Sequence, residues 1–105
     1  MRDRPREQEA WLSFVGALGN YWYMGGTPSE GARECREAVT ATAGSPPSKA
    51  RWEALVWLAH LTSSRDLGAA RRAYADALAV ARSLADDAAI AATLQNRHSS
   101  GATWP

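Results

Sequence analysis

"LGNYWYMGGTPSEGARECREAV" (residues 18–39) is a stretch in which one helix has to stop and another has to start. Thr27-Pro28-Ser29-Glu30 has the form of a capping box. The Thr27 hydroxyl can accept a hydrogen bond from a free N–H of the first turn, and Glu30 can reach back to the N–H of Thr27. Pro28 at the first helical position has no N–H to leave orphaned, and its fixed φ suits a helix. Gly25 and Gly26 stand where the preceding helix must end, and glycine adopts positive φ at little cost. The stretch therefore reads as helix, tight turn, helix.

Working outward from this turn, hydrophobic spacing predicts five helices and no strand, because no run alternates with period two. The first spans about 5–24, with Trp11, Leu12, Val15, Leu18, Gly19 and Trp22 on one apolar stripe. The second follows the Thr27 cap to about residue 43, turning Gly31, Cys35, Ala38, Val39 and Thr42 inward. "GSPPS" (44–48) breaks the chain, since two prolines after a glycine cannot continue a helix. A third helix covers about 49–62. "SSRD" (63–66) then turns the chain, with Asp66 as N-cap of a fourth helix over about 67–84. That helix turns Leu67, Ala70, Tyr74, Ala77, Leu78 and Ala81 inward and an Arg72–Asp76 pair outward. Asp86 or Asp87 caps a short fifth helix ending near Asn96, and residues 97–105 lack periodicity and read as a disordered tail.

Composition bounds the function. The chain has 105 residues, enough for one small domain, and a formal net charge of +1 from 12 Lys+Arg against 11 Asp+Glu. That balance gives no electrostatic case for direct nucleic-acid binding, which asks for a clustered basic surface. A single cysteine, Cys35, excludes an internal disulfide framework and a multi-cysteine zinc site, and a reducing cytoplasm is the expected location. No charged residue occurs from Trp11 to Ser29. Even so, Ser13, Gly16, Gly19, Asn20 and the Gly25-Gly26 pair interrupt the run before it reaches the roughly 20 apolar residues of a membrane span. Arginine supplies nearly all the basic side chains and alanine is abundant, as expected of a GC-rich bacterial genome.

Sliding the chain against itself by 39 residues lays Ala38-Val39 on Ala77-Leu78. In the same register Thr27 falls on Asp66, Gly31 on Ala70, Cys35 on Tyr74, Leu18 on Trp57 and Trp22 on Leu61. Helix start, small position and core position all coincide. The expected architecture is therefore all-α, with antiparallel helix-turn-helix units stacked as a short α-solenoid. The repeat domain covers 5–96, with units at about 11–43 and 49–85 and a partial third unit at 86–96. Gly19 and Gly31 would let the two helices of a unit approach, while Trp22, Cys35 and Tyr74 would fill the space between units. A generic antiparallel bundle is the alternative.

The residues resemble the tetratricopeptide repeat. Val15, Leu18-Gly19 and Trp22 keep the spacing of its W-x-x-L-G-x-x-Y pattern, and Gly31 and Cys35 take the following Ala and Phe places. The second unit is looser, through Ala54, Trp57-Leu58, Leu61, Ala70 and Tyr74. Val15 and Ala54 replace the pattern's tryptophan, and the period exceeds the usual number of about 34. "RDLGAARRAYADALAVARSLADD" (65–87) is similar to the MalT-like repeats of large bacterial ATP-dependent transcription regulators. The resemblance covers about residues 11–96.

It implies a non-enzymatic module that binds a protein or peptide partner, a fragment or relative of the sensor region of such a regulator. A concave groove would be lined by the first helix of each unit. There Asn20 offers a polar handle, Tyr23 and Trp52 offer rigid anchors, and Met24, Leu55, Ala59 and Thr62 complete the set. Trp11, Trp22 and Trp57 are expected in the core. No cofactor or metal is expected. Cys35 lies on an apolar face, no motif places a carboxylate to orient His60, and Cys35, His60 and His98 lack metal-ligand spacing. "GGTPSEG" has no Lys-Ser/Thr and is no phosphate loop. The partial third unit, with Leu94 in the tryptophan place, should leave an apolar edge of Leu78, Ile90 and Leu94. A homodimer through that edge, a self-associating structural domain, and a small enzyme are the competing readings.

Overall fold

The computed structural model describes residues 4–100. Five α-helices follow one another: α1 (Arg4–Gly25), α2 (Pro28–Ala41), α3 (Lys49–Thr62), α4 (Leu67–Ser83) and α5 (Asp87–Ser100). No strand occurs among the described residues, and none of their helices is long and apolar enough to cross a membrane. The fifth helix runs past its expected end at Asn96, because no glycine or proline interrupts the chain before Gly101. Residues 101–105 of the expected tail lie outside the described residues.

Local chemistry sets the helix ends. Gly26 has φ +85°, and the Thr27 N–H donates to the Trp22 carbonyl at 3.2 Å, which closes α1 with a Schellman-type bond. The same closure ends α4, where the Asp86 N–H donates to Ala81 O at 3.2 Å across Ala85 at φ +52°. Ser48 caps α3 by accepting from Arg51 N, Asp66 caps α4 by accepting from Ala69 N, and Asp86 caps α5 by accepting from Ala89 N. The capping box expected at Thr27 does not form. Thr27 is the N-cap residue, but its ψ of 51° is not the extended backbone that aims a cap hydroxyl at the first turn, and its side chain makes no cap bond. The ion pair expected between Arg72 and Asp76 is likewise absent among the described residues, and Arg72 reaches back over Gly68.

α1 pairs with α2 and α3 with α4 as antiparallel hairpins. α3 also packs broadly on α1 and α2, so the second hairpin is stacked on the first with α3 at the centre. α5 packs on α4. The 39-residue register survives in burial: Gly31 and Ala70, Cys35 and Tyr74, Trp22 and Leu61, Ala38 and Ala77 are all buried, whereas Leu18 and Trp57 are both half-buried. Thr27 and Asp66 both start helices.

Glycine makes the stack close. A methyl group on Gly19 would overlap the Trp57 indole, and one on Gly31 would stand 2.6 Å from Trp22 Cβ. Gly31 thus lets the two helices of its own unit meet. Gly19 does something other than expected, because the ring it receives comes from the next unit. Polar groups in the core are spent internally. Thr42, Thr62 and Thr93 donate to the carbonyls four residues back at 2.7, 2.8 and 2.7 Å. Arg51 Nη1 donates to Thr42 O at 3.1 Å and Thr42 Oγ1 at 2.9 Å, tying the end of α2 to the start of α3.

The fifth helix is registered one residue away from the expected alignment. Thr93, not Leu94, faces inward: Thr93 is 1 % exposed and Leu94 39 %. Thr93 stands 39 residues after Ala54, so it holds the repeat position, and its hydroxyl accepts from Trp52 Nε1 at 2.6 Å.

Candidate interaction surface

α1 is apolar on two sides. One side, Leu12, Val15, Gly16, Gly19 and Trp22, is buried against α2 and α3. The opposite side follows its own helical spacing through Trp11, Phe14, Ala17, Leu18, Tyr21 and Met24. Trp11 is 36 % exposed, Phe14 62 %, Tyr21 68 % and Met24 72 %. Leu18 is half-buried and Ala17 exposed. Trp11 was expected in the core, but Leu12 beside it takes the inward position with no exposure. The two stripes touch at Leu18, so a reading that follows a single stripe merges them. The signal that separates them is the second period itself, from Phe14 through Ala17 and Tyr21 to Met24.

A smaller aromatic cluster lies where α1 meets α3. Tyr23 and Trp57 ring centroids are 6.2 Å apart, Trp57 and His60 5.5 Å, and Tyr23 and His60 6.3 Å. Tyr74 is wholly buried and meets His60 edge-on at 5.8 Å, with its hydroxyl 3.1 Å from His60 Nδ1. The phenol donates there when Nδ1 carries no proton. Burial lowers the His60 pKa from its ordinary value, which favours that neutral ring.

The residues expected to bind a partner separate into two kinds. Asn20 and Tyr23 are exposed near the end of α1. Trp52 is half-buried and anchors α5 through Thr93, with Lys49 Nζ 5.4 Å above its ring. Thr62 is 5 % exposed, at the floor of a cleft, and its hydroxyl donates to Leu58 O. Trp52 and Thr62 stand ten residues apart on α3, about 15 Å along its axis.

Cys35 is fully buried, and desolvation, with Glu34 adding to it, pushes its thiol up to about 12. A thiol held neutral is not a nucleophile. No group of three or more His, Cys, Asp or Glu side chains could hold a metal among the described residues, and the His98 side chain lies outside them. A cleft of about 200 Å³ between α2 and α4 is lined by Arg36, Leu58, Thr62, Arg72 and Asp76 among others. Comparison of the chain with protein-family models, curated proteins and solved structures finds no match.

Proposed function

We propose that the domain is a non-enzymatic protein-interaction module of the tetratricopeptide type that works by presenting the outer face of α1. The observation that carries this reading is the exposure of Trp11, Phe14, Tyr21 and Met24 on one side of one helix. Large apolar side chains gathered in water mark contact surfaces, and Trp, Tyr, Phe and Met are the types enriched at interface centres. Asn20, one turn before Met24, is exposed beside the face and supplies a polar contact at its edge, whereas Tyr23 packs against Trp57 and His60. The similarity of residues 65–87 to regulator repeats supports a role within, or related to, the sensor region of a bacterial transcription regulator. The lone, buried Cys35 agrees with a cytoplasmic location.

A diverse peptide library titrated against the chain, followed by tryptophan emission, tests the proposal, because Trp11 lies on the face as a reporter. The expected result is a saturable ligand whose binding Phe14→Glu abolishes. A folded chain that finds no ligand, or one whose ligand ignores Phe14→Glu, contradicts it.

A further inference from the structure

We propose that a second copy of this chain covers the outer face of α1, the two helices packing antiparallel about a two-fold axis near Ala17 and Leu18. This names the occupant of the surface described above and rests on reading that surface as a contact site.

A two-fold contact sets a patch against itself, so the patch has to be self-complementary. Charge is the first obstacle to that, since a charged residue near the axis would meet its own like. Between Trp11 and Ser29 the sequence has none. Size is the second. An antiparallel arrangement centred between Ala17 and Leu18 places Phe14 against Tyr21 of the second copy and Trp11 against its Met24. Large side chains then flank a centre made of an alanine and a leucine, which lets the helix axes approach. The antiparallel sense also opposes the two helix dipoles.

Area points the same way. Aromatic side chains carry about 150–250 Å² each, so the exposed fractions of Trp11, Phe14, Tyr21 and Met24 amount to on the order of 500 Å² per copy. A pair buries on the order of 1,000 Å², the lower bound for a specific interface, and so describes a weak, reversible dimer. The other apolar edge is smaller. Leu78 and Ile90 are already half-buried, and Leu94 is 39 % exposed. The pairing therefore uses α1 rather than the C-terminal edge.

Sedimentation equilibrium of the 105-residue chain, from about 1 to about 200 µM, reads the association directly. The expected mass rises from monomer towards twice that value across the series. Phe14→Glu holds it at monomer with unchanged helix content, and Leu94→Glu leaves the dimer intact. Tyr21→Lys serves as a second variant on the same face if Phe14→Glu disturbs folding. The antiparallel sense has its own readout under oxidation. Ala17→Cys forms a disulfide with its own copy across the axis, whereas Met24→Cys, about 20 Å apart along the paired helices, does not. A chain that stays monomeric throughout, or a dimer that survives Phe14→Glu and Tyr21→Lys or falls to Leu94→Glu, overturns the proposal, and linking by both cysteine variants overturns its antiparallel form. A monomer that still binds a peptide through Phe14 would sink the pairing and leave the interaction-module reading standing.

Discussion

His60 is half-buried among Tyr23, Trp57 and Tyr74, and its Nδ1 lies 3.1 Å from the Tyr74 hydroxyl. Charging the ring costs solvation and removes the acceptor that the buried phenol uses, so the folded-state pKa lies below 6.5. The unfolded chain then binds the proton more readily. The stabilisation is present above the unfolded value and is lost as pH falls from there through the lower folded value. Urea midpoints measured from about pH 7.5 down to about 5.5 should decline in the natural chain and decline less in His60→Gln. An identical slope in the two proteins contradicts the assignment. Cys35 behaves in the opposite sense. Its folded-state value is raised to about 12, so its contribution is present at neutral pH and lost as pH rises above 9. A thiol reagent at neutral pH should label Cys35 only after denaturant is added. Rapid labelling of the folded chain would show that the side chain is not enclosed.

At the scale of helices, the stack depends on where side chains are missing. Gly19→Ala drives a methyl group into the Trp57 indole, and a rigid ring cannot yield as a flexible chain would. The overpacking should outweigh the gain in helix propensity and cost about 1–2 kcal/mol in denaturant unfolding. Gly25→Ala, with nothing within 4 Å of the new methyl, is the control and should be neutral or mildly stabilising. Ala85 is the reverse case. It holds φ +52° at the end of α4, where its equivalent at the end of α1 is Gly26. Ala85→Gly should relieve that backbone and add about 0.5–1 kcal/mol, and a lower unfolding midpoint would contradict this. The starts of the later helices were legible because Asp66 stands directly before a periodic segment and Pro46-Pro47 before another. The partner of Gly19 was not legible, because the sequence marks a small residue without saying which helix it faces. Thr93 was hidden for a similar reason, since a threonine that spends its hydroxyl on its own helix is a core residue, while the leucine beside it looks like the better candidate.

For the whole molecule, the chain divides its large hydrophobic residues between a packed core and the exposed outer side of α1. The fold closes around α3, which packs on α1, α2 and α4, and of the outer side of α1 Leu18 alone packs against that core. The five-helix, stacked-hairpin form could be read from spacing and from the 39-residue register. The exposed face could not, because the two apolar stripes of α1 touch at Leu18 and merge into one in the sequence. Trp52 and Thr62 both make intramolecular hydrogen bonds, Trp52 to Thr93 and Thr62 to Leu58 O. The central claim is that the Trp11–Met24 face serves contact and not folding. Thermal unfolding of the Phe14→Glu/Tyr21→Glu double variant, in dilute solution where association is negligible, tests it most directly. Surface changes away from structural features shift stability by about 0.5 kcal/mol or less each, so the variant should retain its helix content and unfold cooperatively within a few degrees of the natural chain. Loss of helix content, or a collapse of the melting transition, would show that the face belongs to the core and would contradict the account.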